Sequence, residues 1–353
     1  MRVRSIAAAA AVMVVAVVMA QSASAQTPRS PLSSPPAADV RSAAAGRSIK
    51  LAGTSGQLND MAGGPVRLAS YSLVFDAGQG HYGYLRKGDR FVRTPYREAL
   101  VSPGERWVAG IPDYRLWLAQ RKVDLIDRRS GRKHTIPLHA PVTSPQWSPD
   151  GRTLLLTAYK PHRDGSLTIT GFVTMNVTDR TPHLVKAGPR HHVAHWEIGR
   201  LFRFYFTGDA RGVLAMHDGQ DIAPKDRRIA AYGLDGKRRG FYTGVGTLDE
   251  WHTVDPFSPS GRLFATFVRS GRIGIVEAST GKIVHRIGHD IRTFAGWYDD
   301  EHLIVSRQHA GTHVYQRVDF SGTGDIELIT ENLVPGPAEY KPHLERVNFV
   351  RRG

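Results

Sequence analysis

A short turn sequence recurs along the chain, and each copy precedes an apolar segment of strand length. The clearest copies are Trp147–Arg152 (WSPDGR), before Thr153–Tyr159, and Phe257–Arg262 (FSPSGR), before Leu263–Val268. A shortened copy is Val101–Arg106, and weaker copies begin at Trp196 and Trp297. Proline sets φ in such a turn, aspartate accepts a backbone hydrogen bond and glycine adopts a positive φ. Repeats of about 40 to 50 residues that each hold several short strands are typical of a β-propeller.

A second type of turn alternates with the first. Short polar loops occur at Ser130-Gly131, Thr178-Asp179, Asp235-Gly236, Thr280-Gly281 and Ser321-Gly322. In a four-stranded blade, strands a to d run outward from the channel, so the first turn type joins strands a and b and the second joins c and d. The alternation predicts complete blades at 99–139, 142–188, 191–246, 252–288 and 292–332. In the fourth of these, we expect strands at 252–257, 263–268, 272–278 and 282–287.

The two ends of the repeat region complete one further blade. Residues 66–97 supply three strands, at 72–75, 81–85 and 91–94, and residues 344–350 supply the missing inner strand. A blade shared by both ends closes the ring and removes open edges. The sequence therefore predicts an all-β protein, a single β-propeller of six four-stranded antiparallel blades over residues 65–353. Seven blades remain an alternative if residues 47–67 contain further strands.

The first 25 residues have the pattern of a secretory signal peptide. Arg2 and Arg4 precede the apolar run Ile6–Ala20, and a small-x-small site follows at Ala23–Ala25. The alternative is a transmembrane anchor, but the run is short for a span of about 20 residues. No later stretch is long and apolar enough to cross a bilayer. Residues 26–64 are rich in Pro, Ser, Ala and Gly, which predicts a flexible tether.

The composition limits the compartment and the partner. The chain has no cysteine, so it has neither disulfides nor a thiol nucleophile. The formal net charge of +15 favours either attraction to an anionic surface or solvated strand edges where positive charge deters pairing. Export makes nucleic acid an unlikely partner. We expect a monomer that is secreted or associated with the cell envelope of a bacterium.

The sequence Trp-Ser-Pro-Asp-Gly followed by an apolar strand resembles the repeat of TolB-type propellers and of related WD-repeat-like secreted bacterial propellers. Trp147–Thr157 and Phe257–Val268 carry the resemblance, which covers about residues 66–350. It implies a six- or seven-bladed propeller that often binds partners. It implies no catalytic residues, because the repeat is structural. The tether is expected to run directly into the blades without a separate α/β domain, so a role in translocation is not implied.

Propellers bind ligands through the b–c and d–a loops, which share one end of every blade. Long b–c loops are predicted at Ile111–Lys122, Lys160–Thr168 and Gly208–Arg227, and functional residues are common on such loops. The alternative is insertion without function. The candidate binding residues on these loops and on the adjacent d–a segments are Tyr114, Trp117, His162, His191, His192, His195, His217, Asp218, Trp251 and His252.

No catalytic set or cofactor site is predicted. The chain has no Gly-x-Ser-x-Gly elbow, and the His191 and His195 pair lies in a loop where a metal would need further ligands. The leading hypothesis is a non-catalytic propeller that binds a protein or an anionic cell-envelope polymer through one face. The alternative is a propeller lyase or hydrolase acting at the channel mouth, with or without a metal ion, for which paired carboxylates such as Asp249-Glu250 are candidates.

Cleavage of the signal peptide is the first testable prediction. The exported protein should begin at or near Gln26, because signal peptidase recognises the small residues at Ala23 and Ala25. Amino-terminal sequencing of exported material checks this. A mature chain that retains Met1 and stays in the membrane fraction would contradict it.

Overall fold

The turn residues and apolar segments form antiparallel sheets that repeat around a ring. A computed structural model describes residues 46–75, 81–112, 121–164, 166–188, 192–194, 203–218, 226–248, 255–269, 272–288, 290–332 and 342–352. In chain order the strands are β1 (Arg47–Lys50), β2 (Gln57–Asp60), β3 (Val66–Phe75), β4 (His81–Lys87), β5 (Arg90–Arg93), β6 (Tyr96–Val101), β7 (Trp107–Pro112), β8 (Lys122–Asp127), β9 (Lys133–Pro137), β10 (Val142–Trp147), β11 (Thr153–Pro161), β12 (Ser166–Asn176), β13 (Pro182–Lys186), β14 (His192–Ala194), β15 (Tyr205–Phe206), β16 (Gly212–Met216), β17 (Arg228–Gly233), β18 (Arg238–Thr243), β19 (Leu263–Arg269), β20 (Arg272–Glu277), β21 (Ile283–Ile287), β22 (Thr293–Trp297), β23 (His302–His309), β24 (Thr312–Asp319), β25 (Gly324–Asn332) and β26 (Pro342–Arg351). The one helical element that the structure describes in full is a 3-10 turn at Pro103–Glu105.

These strands form six blades, which confirms the predicted six-bladed propeller. Blade 1 has the order β26-β3-β4-β5, so the carboxyl-terminal strand is its inner strand, as predicted. Blade 2 is β6 to β9, blade 3 is β10 to β13 with β14 added on β12, and blade 4 is β15 to β18. Blade 5 is β19 to β21, with an inner bridge between Phe257 and Phe264. Blade 6 is β22 to β25.

The amino-terminal strands extend blade 6 instead of forming a seventh blade. Strand β2 pairs with the outer strand β25, and β1 pairs with β2, so this sheet has six strands. Residues 47–60 lie within the segment predicted to be a tether, and they are folded because Ile49, Leu51 and Leu58 pack into an apolar cluster with Tyr71 and Tyr315. Val, Ile, Leu and aromatic side chains provide the free energy that orders the hairpin.

The apolar cores lie between neighbouring blades. One cluster joins Phe172 of blade 3, Leu214 of blade 4 and Phe264 of blade 5. The other clusters cover the boundaries of blades 1 and 2, 2 and 3, 5 and 6, and 6 and 1. Each blade therefore buries both of its faces, which is the reason that its strands are apolar on both sides.

The a–b turn has one repeated geometry, and blade 3 shows it in full. Ser148 Oγ accepts a hydrogen bond from Thr153 N at 2.9 Å and donates to Asp150 Oδ1, while Asp150 Oδ1 also accepts from Arg152 N at 3.1 Å. Gly151 has φ +67° and Gly261, at the same place in blade 5, has φ +71°. The predicted positive φ of both glycines is confirmed.

Blade 4 contains a copy of this turn that the sequence analysis missed. Thr207, Asp209 and Arg211 form the same hydrogen bonds as Ser148, Asp150 and Arg152, and Ala210 takes the left-handed place with φ +56°. The inner strand of blade 4 is therefore β15, and Gly212–Met216 is strand b. The prediction that Gly208–Arg227 is a b–c loop is wrong for its first part, because Gly208 replaces proline and Ala210 replaces glycine in the turn.

Replacement of Gly151 or Gly261 by valine should destabilise the protein by more than about 1 kcal/mol, because a β-branched residue is strained at positive φ. At Gly151 the new Cβ would also lie 2.6 Å from the Pro103 carbonyl oxygen. Chemical denaturation measures the free energy of unfolding. The matched control is Gly240→Val, where an added Cβ meets nothing within 4 Å. A neutral effect at both turn glycines would show that the turns are misassigned.

Candidate binding face and central channel

The b–c and d–a connections leave the ring at the end where every inner strand begins. The a–b and c–d turns lie at the other end, where every inner strand ends. Blades 3 and 4 show how the first end is built, because the structure describes most of the b–c connection of blade 3 and both ends of that of blade 4. These two blades hold His162, His192, His217 and Asp218 of the predicted binding residues.

Blade 3 extends beyond its inner strand. Val142 pairs with Ala158, but β11 and β12 continue to the pair Pro161 and Leu167. Three extra residues on a strand amount to about 10 Å. The predicted loop Lys160–Thr168 is thus mostly strand, which is a correction, and the reason is continued pairing of Lys160 with Thr168.

The d–a connection after blade 3 returns to this extension. Strand β14 pairs with β12, and His192 is the register partner of Thr168. On the other side of β12, His162 Nε2 lies 2.8 Å from Thr168 Oγ1. The structure therefore brings His162 and the backbone of His192 to the same short strand segment, although they are 30 positions apart in the chain.

In blade 4, Asp218 is used to close the base of the b–c connection. Its carboxylate accepts hydrogen bonds from Arg228 N, Nε and Nη2 at 2.8, 2.9 and 2.7 Å, and Arg228 lowers the pKa of Asp218. The His217 ring packs edge-on against Phe241 at 4.8 Å between centroids. The Arg228 guanidinium lies over the Phe241 ring. This geometry makes Asp218 a structural anchor, and its predicted role in binding stays a prediction.

The other predicted binding residues, Tyr114, Trp117, His191, His195, Trp251 and His252, lie outside the described residues, as does the side chain of His192. Their roles stay predictions.

The channel holds a charged cluster that the sequence analysis missed. Arg346 of the inner strand β26 is only 6% exposed. Its Nη1 lies 2.5 Å from Glu98 Oε2 on blade 2, and its Nη2 donates to the Pro145 carbonyl oxygen on blade 3 at 3.0 Å. Burial lowers the pKa of Arg346, and the positive charge of Arg203 on blade 4 lowers this pKa further. The negative charge of Glu98 acts in the opposite direction and raises the pKa. The Arg346 guanidinium thus links blade 1 to blades 2 and 3.

Backbone irregularities place these groups. The inner strands of blades 1, 2, 3 and 6 each contain a bulge, at Leu344/Arg346, Tyr96/Glu98, Thr143/Gln146 and Phe294/Gly296. Ser144, in the blade 3 bulge, has φ +53° and is 3% exposed. A bulge re-aims one side chain or carbonyl of a strand. The bulge in blade 3 is next to the Pro145 carbonyl that receives Arg346. A sequence signal existed, since Arg346 and Glu98 interrupt apolar inner strands.

Asp255 of blade 5 is a second charged group of the inner strands. Burial raises the pKa of Asp255 to about 6, although its Oδ1 accepts a hydrogen bond from Phe257 N at 2.9 Å and Arg351 is nearby. A carboxyl group with this pKa changes its charge near neutral pH.

The described residues hold no group of three or more His, Asp or Glu side chains placed to bind a metal ion. In the same part of the chain no helix is long and apolar enough to cross a membrane.

No family model matches this chain, and no curated protein matches it. Among solved structures, the crystal structure of TolB from Acinetobacter baumannii is similar, with a TM-score of 0.46 and 13% sequence identity. The match covers 80% of this chain and 66% of the TolB chain, which is less than two thirds of that protein. The prediction of a TolB-type propeller is confirmed at the level of the fold, by the six blades themselves.

The raised pKa of Asp255 has a consequence for stability. Because folding raises this pKa from 3.8 to about 6, the contribution of Asp255 favours the folded state below pH 3.8 and is lost as the pH rises through about 6. Asp255→Asn should therefore be more stable than wild type at about pH 7.5, by up to about 3 kcal/mol, and similar at about pH 4.

Urea unfolding at both pH values measures this difference. Asp218→Asn is the control with the opposite sign, because its lowered pKa stabilises the folded state above pH 3.8. That variant should be less stable than wild type at about pH 7.5. If Asp255→Asn also loses stability there, Asp255 is not a desolvated carboxyl group.

Proposed function

We propose that this protein is an exported, non-catalytic propeller that binds a protein or an anionic cell-envelope polymer through the face formed by the b–c and d–a connections. Three features support the proposal: the repeat fold, the extension of blade 3 on this face and the charged residues of the channel below it. The predicted signal peptide supports export.

The observation that carries the proposal is the extension of blade 3. Residues 159–164 and 166–168 extend up to about 10 Å beyond the inner strand, and β14 pairs with β12 on the outer side of this extension. Backbone hydrogen bonds hold this extension as a fixed ridge. A rigid ridge loses little conformational entropy when a partner binds, which favours recognition.

The channel cluster supports the face from below. Arg346 is only 6% exposed, and its Nη1 and Nη2 are bound by Glu98 and the Pro145 carbonyl. It therefore links the inner strands of blades 1, 2 and 3 and so gives the face a fixed base.

The enzyme alternative has one observation in its favour, the raised pKa of Asp255. A carboxyl group with a pKa near 6 could serve as a general acid or base. Glycoside hydrolysis would need a second carboxylate about 5 to 9.5 Å from the first. A hydrolase or lyase activity that Asp255→Asn abolishes would favour this alternative.

Capture of a partner tests the binding proposal. The mature protein, immobilised, should retain a component of the envelope fraction of its source cells. The double variant Trp117→Ala with Tyr114→Ala should lose that component, because aromatic side chains supply large contact areas at interfaces. Binding is measured by comparing the eluted components.

Val284→Ala is the matched control, since Val284 is exposed on the outer edge of blade 5. It should retain capture. If capture survives in the aromatic double variant but is lost when Lys237, Arg238 and Arg239 are replaced by alanine, the contact lies at the c–d turn and the proposed face is wrong.

A further inference from the structure

The end of the ring opposite the proposed binding face repeats one exposed cation. In blades 2 to 5, the residue after the left-handed position of each a–b turn is an arginine, and all four side chains are exposed: Arg106, Arg152, Arg211 and Arg262. The turns of blades 2 and 3 touch, because a Cβ on Gly151 would meet the Pro103 carbonyl, and those of blades 4 and 5 touch, because a Cβ on Gly208 would meet Gly261. The arginines therefore lie in two pairs on consecutive blades at this end of the ring.

The acids of the same turns are also exposed, but their carboxylates are bound to the turn backbone. Asp150 and Asp209 accept hydrogen bonds from Arg152 N and Arg211 N and from Ser148 and Thr207. Among the described residues, Arg152 and Arg211 form no salt bridge, so these long side chains are available to bind an anion in solution.

The c–d turns leave the ring at the same end and add further exposed cations, namely Arg129, Arg132, Lys237, Arg238 and Lys282. Together with the four turn arginines they form the basic crescent of blades 2 to 5. Blade 6 is excluded, because its a–b turn carries Asp299, Asp300 and Glu301.

One apolar side chain stands within the basic crescent. Leu234, in the c–d turn of blade 4, is 39% exposed and lies three residues before Lys237. An exposed leucine beside lysine and arginine is the combination by which peripheral proteins enter the boundary between lipid headgroups and acyl chains. A soluble polyanion offers no apolar phase into which the leucine side chain could insert.

We propose that the basic crescent docks this protein on a membrane surface that contains anionic lipid headgroups, with Leu234 inserted at the interface. Phosphate groups of the lipids attract the turn arginines. The Leu234 side chain adds an apolar contribution to the free energy of binding, which salt does not screen. Docking by this end directs the b–c and d–a face away from the membrane. The inference goes beyond the proposed function and does not depend on it.

Cosedimentation of the mature protein with lipid vesicles tests the proposal. Vesicles of phosphatidylcholine with phosphatidylglycerol should bind the protein, vesicles of phosphatidylcholine alone should not, and added salt should weaken binding. The double variant Arg211→Glu with Lys237→Glu should lose about tenfold or more in affinity, since neither side chain forms a salt bridge with a residue that the structure describes. Circular dichroism and thermal unfolding confirm that the variant is folded.

Two controls are matched to these residues. Lys160→Glu with Arg163→Glu makes the same change of charge on exposed residues at the opposite end of the ring, and it should bind vesicles with less than about a threefold loss. Leu234→Ser should weaken binding severalfold, whereas Leu184→Ser, at the same 39% exposure on the outer edge of blade 3, should not.

Equal losses in the two charge variants would overturn the proposal, because they would indicate non-specific attraction by net charge. Binding of inorganic polyphosphate without binding of vesicles would also overturn it, in favour of a soluble polyanion. Partner capture by the opposite face is a separate measurement, so either result leaves the proposed function to its own test.

Discussion

Closure of the ring by strand β26 is the constraint on which the rest of the structure depends. A propeller without it would expose the inner edge of blade 1 and the apolar boundary with blade 6. A salt-bridge network secures the closure. Asp60 of the amino-terminal hairpin accepts hydrogen bonds from Arg86 Nη1 and Nη2 at 2.9 and 2.6 Å and from Arg352 Nη2 at 3.2 Å. Both ends of the described chain meet at one carboxylate, and Arg86 lowers its pKa.

The same closure explains why a buried charge is tolerated in the channel. Arg346 belongs to the closing strand, and it reaches from blade 1 to Glu98 on blade 2 and to the Pro145 carbonyl on blade 3. Removing one partner of such a pair leaves an uncompensated buried charge, at a cost of about 3 to 5 kcal/mol. A correctly closed ring satisfies Arg346 and Glu98 together, whereas a slipped register would not. The pair thus adds specificity to a closure that apolar packing stabilises.

The sequence was sufficient to predict the blades but not to predict the structure of the proposed binding face. Turns with Ser-Pro-Asp-Gly chemistry are local, so Ser148–Gly151 and Ser258–Gly261 marked blades 3 and 5 correctly. The same bonding pattern at Thr207–Ala210 escaped notice because hydrogen bonds, and not residue types, define it. The pairing of β14 with the extension of blade 3 and the contact of Arg346 with Glu98 depend on pairs that are distant in sequence. Periodicity in one sequence contains no information about such pairs.

The two ends of the ring differ in how strongly hydrogen bonds constrain their connections, and the residues at each end differ accordingly. The a–b turns of blades 3 and 4 share one set of hydrogen bonds, which fixes their length. In blades 2 to 5 the residue after the left-handed position is arginine, at Arg106, Arg152, Arg211 and Arg262. The b–c and d–a connections carry no such set, so their lengths differ between blades. A fixed end suits a repetitive charged surface such as lipid headgroups, and a variable end suits one particular partner. A protein that uses both ends would hold its partner away from the membrane on which it docks.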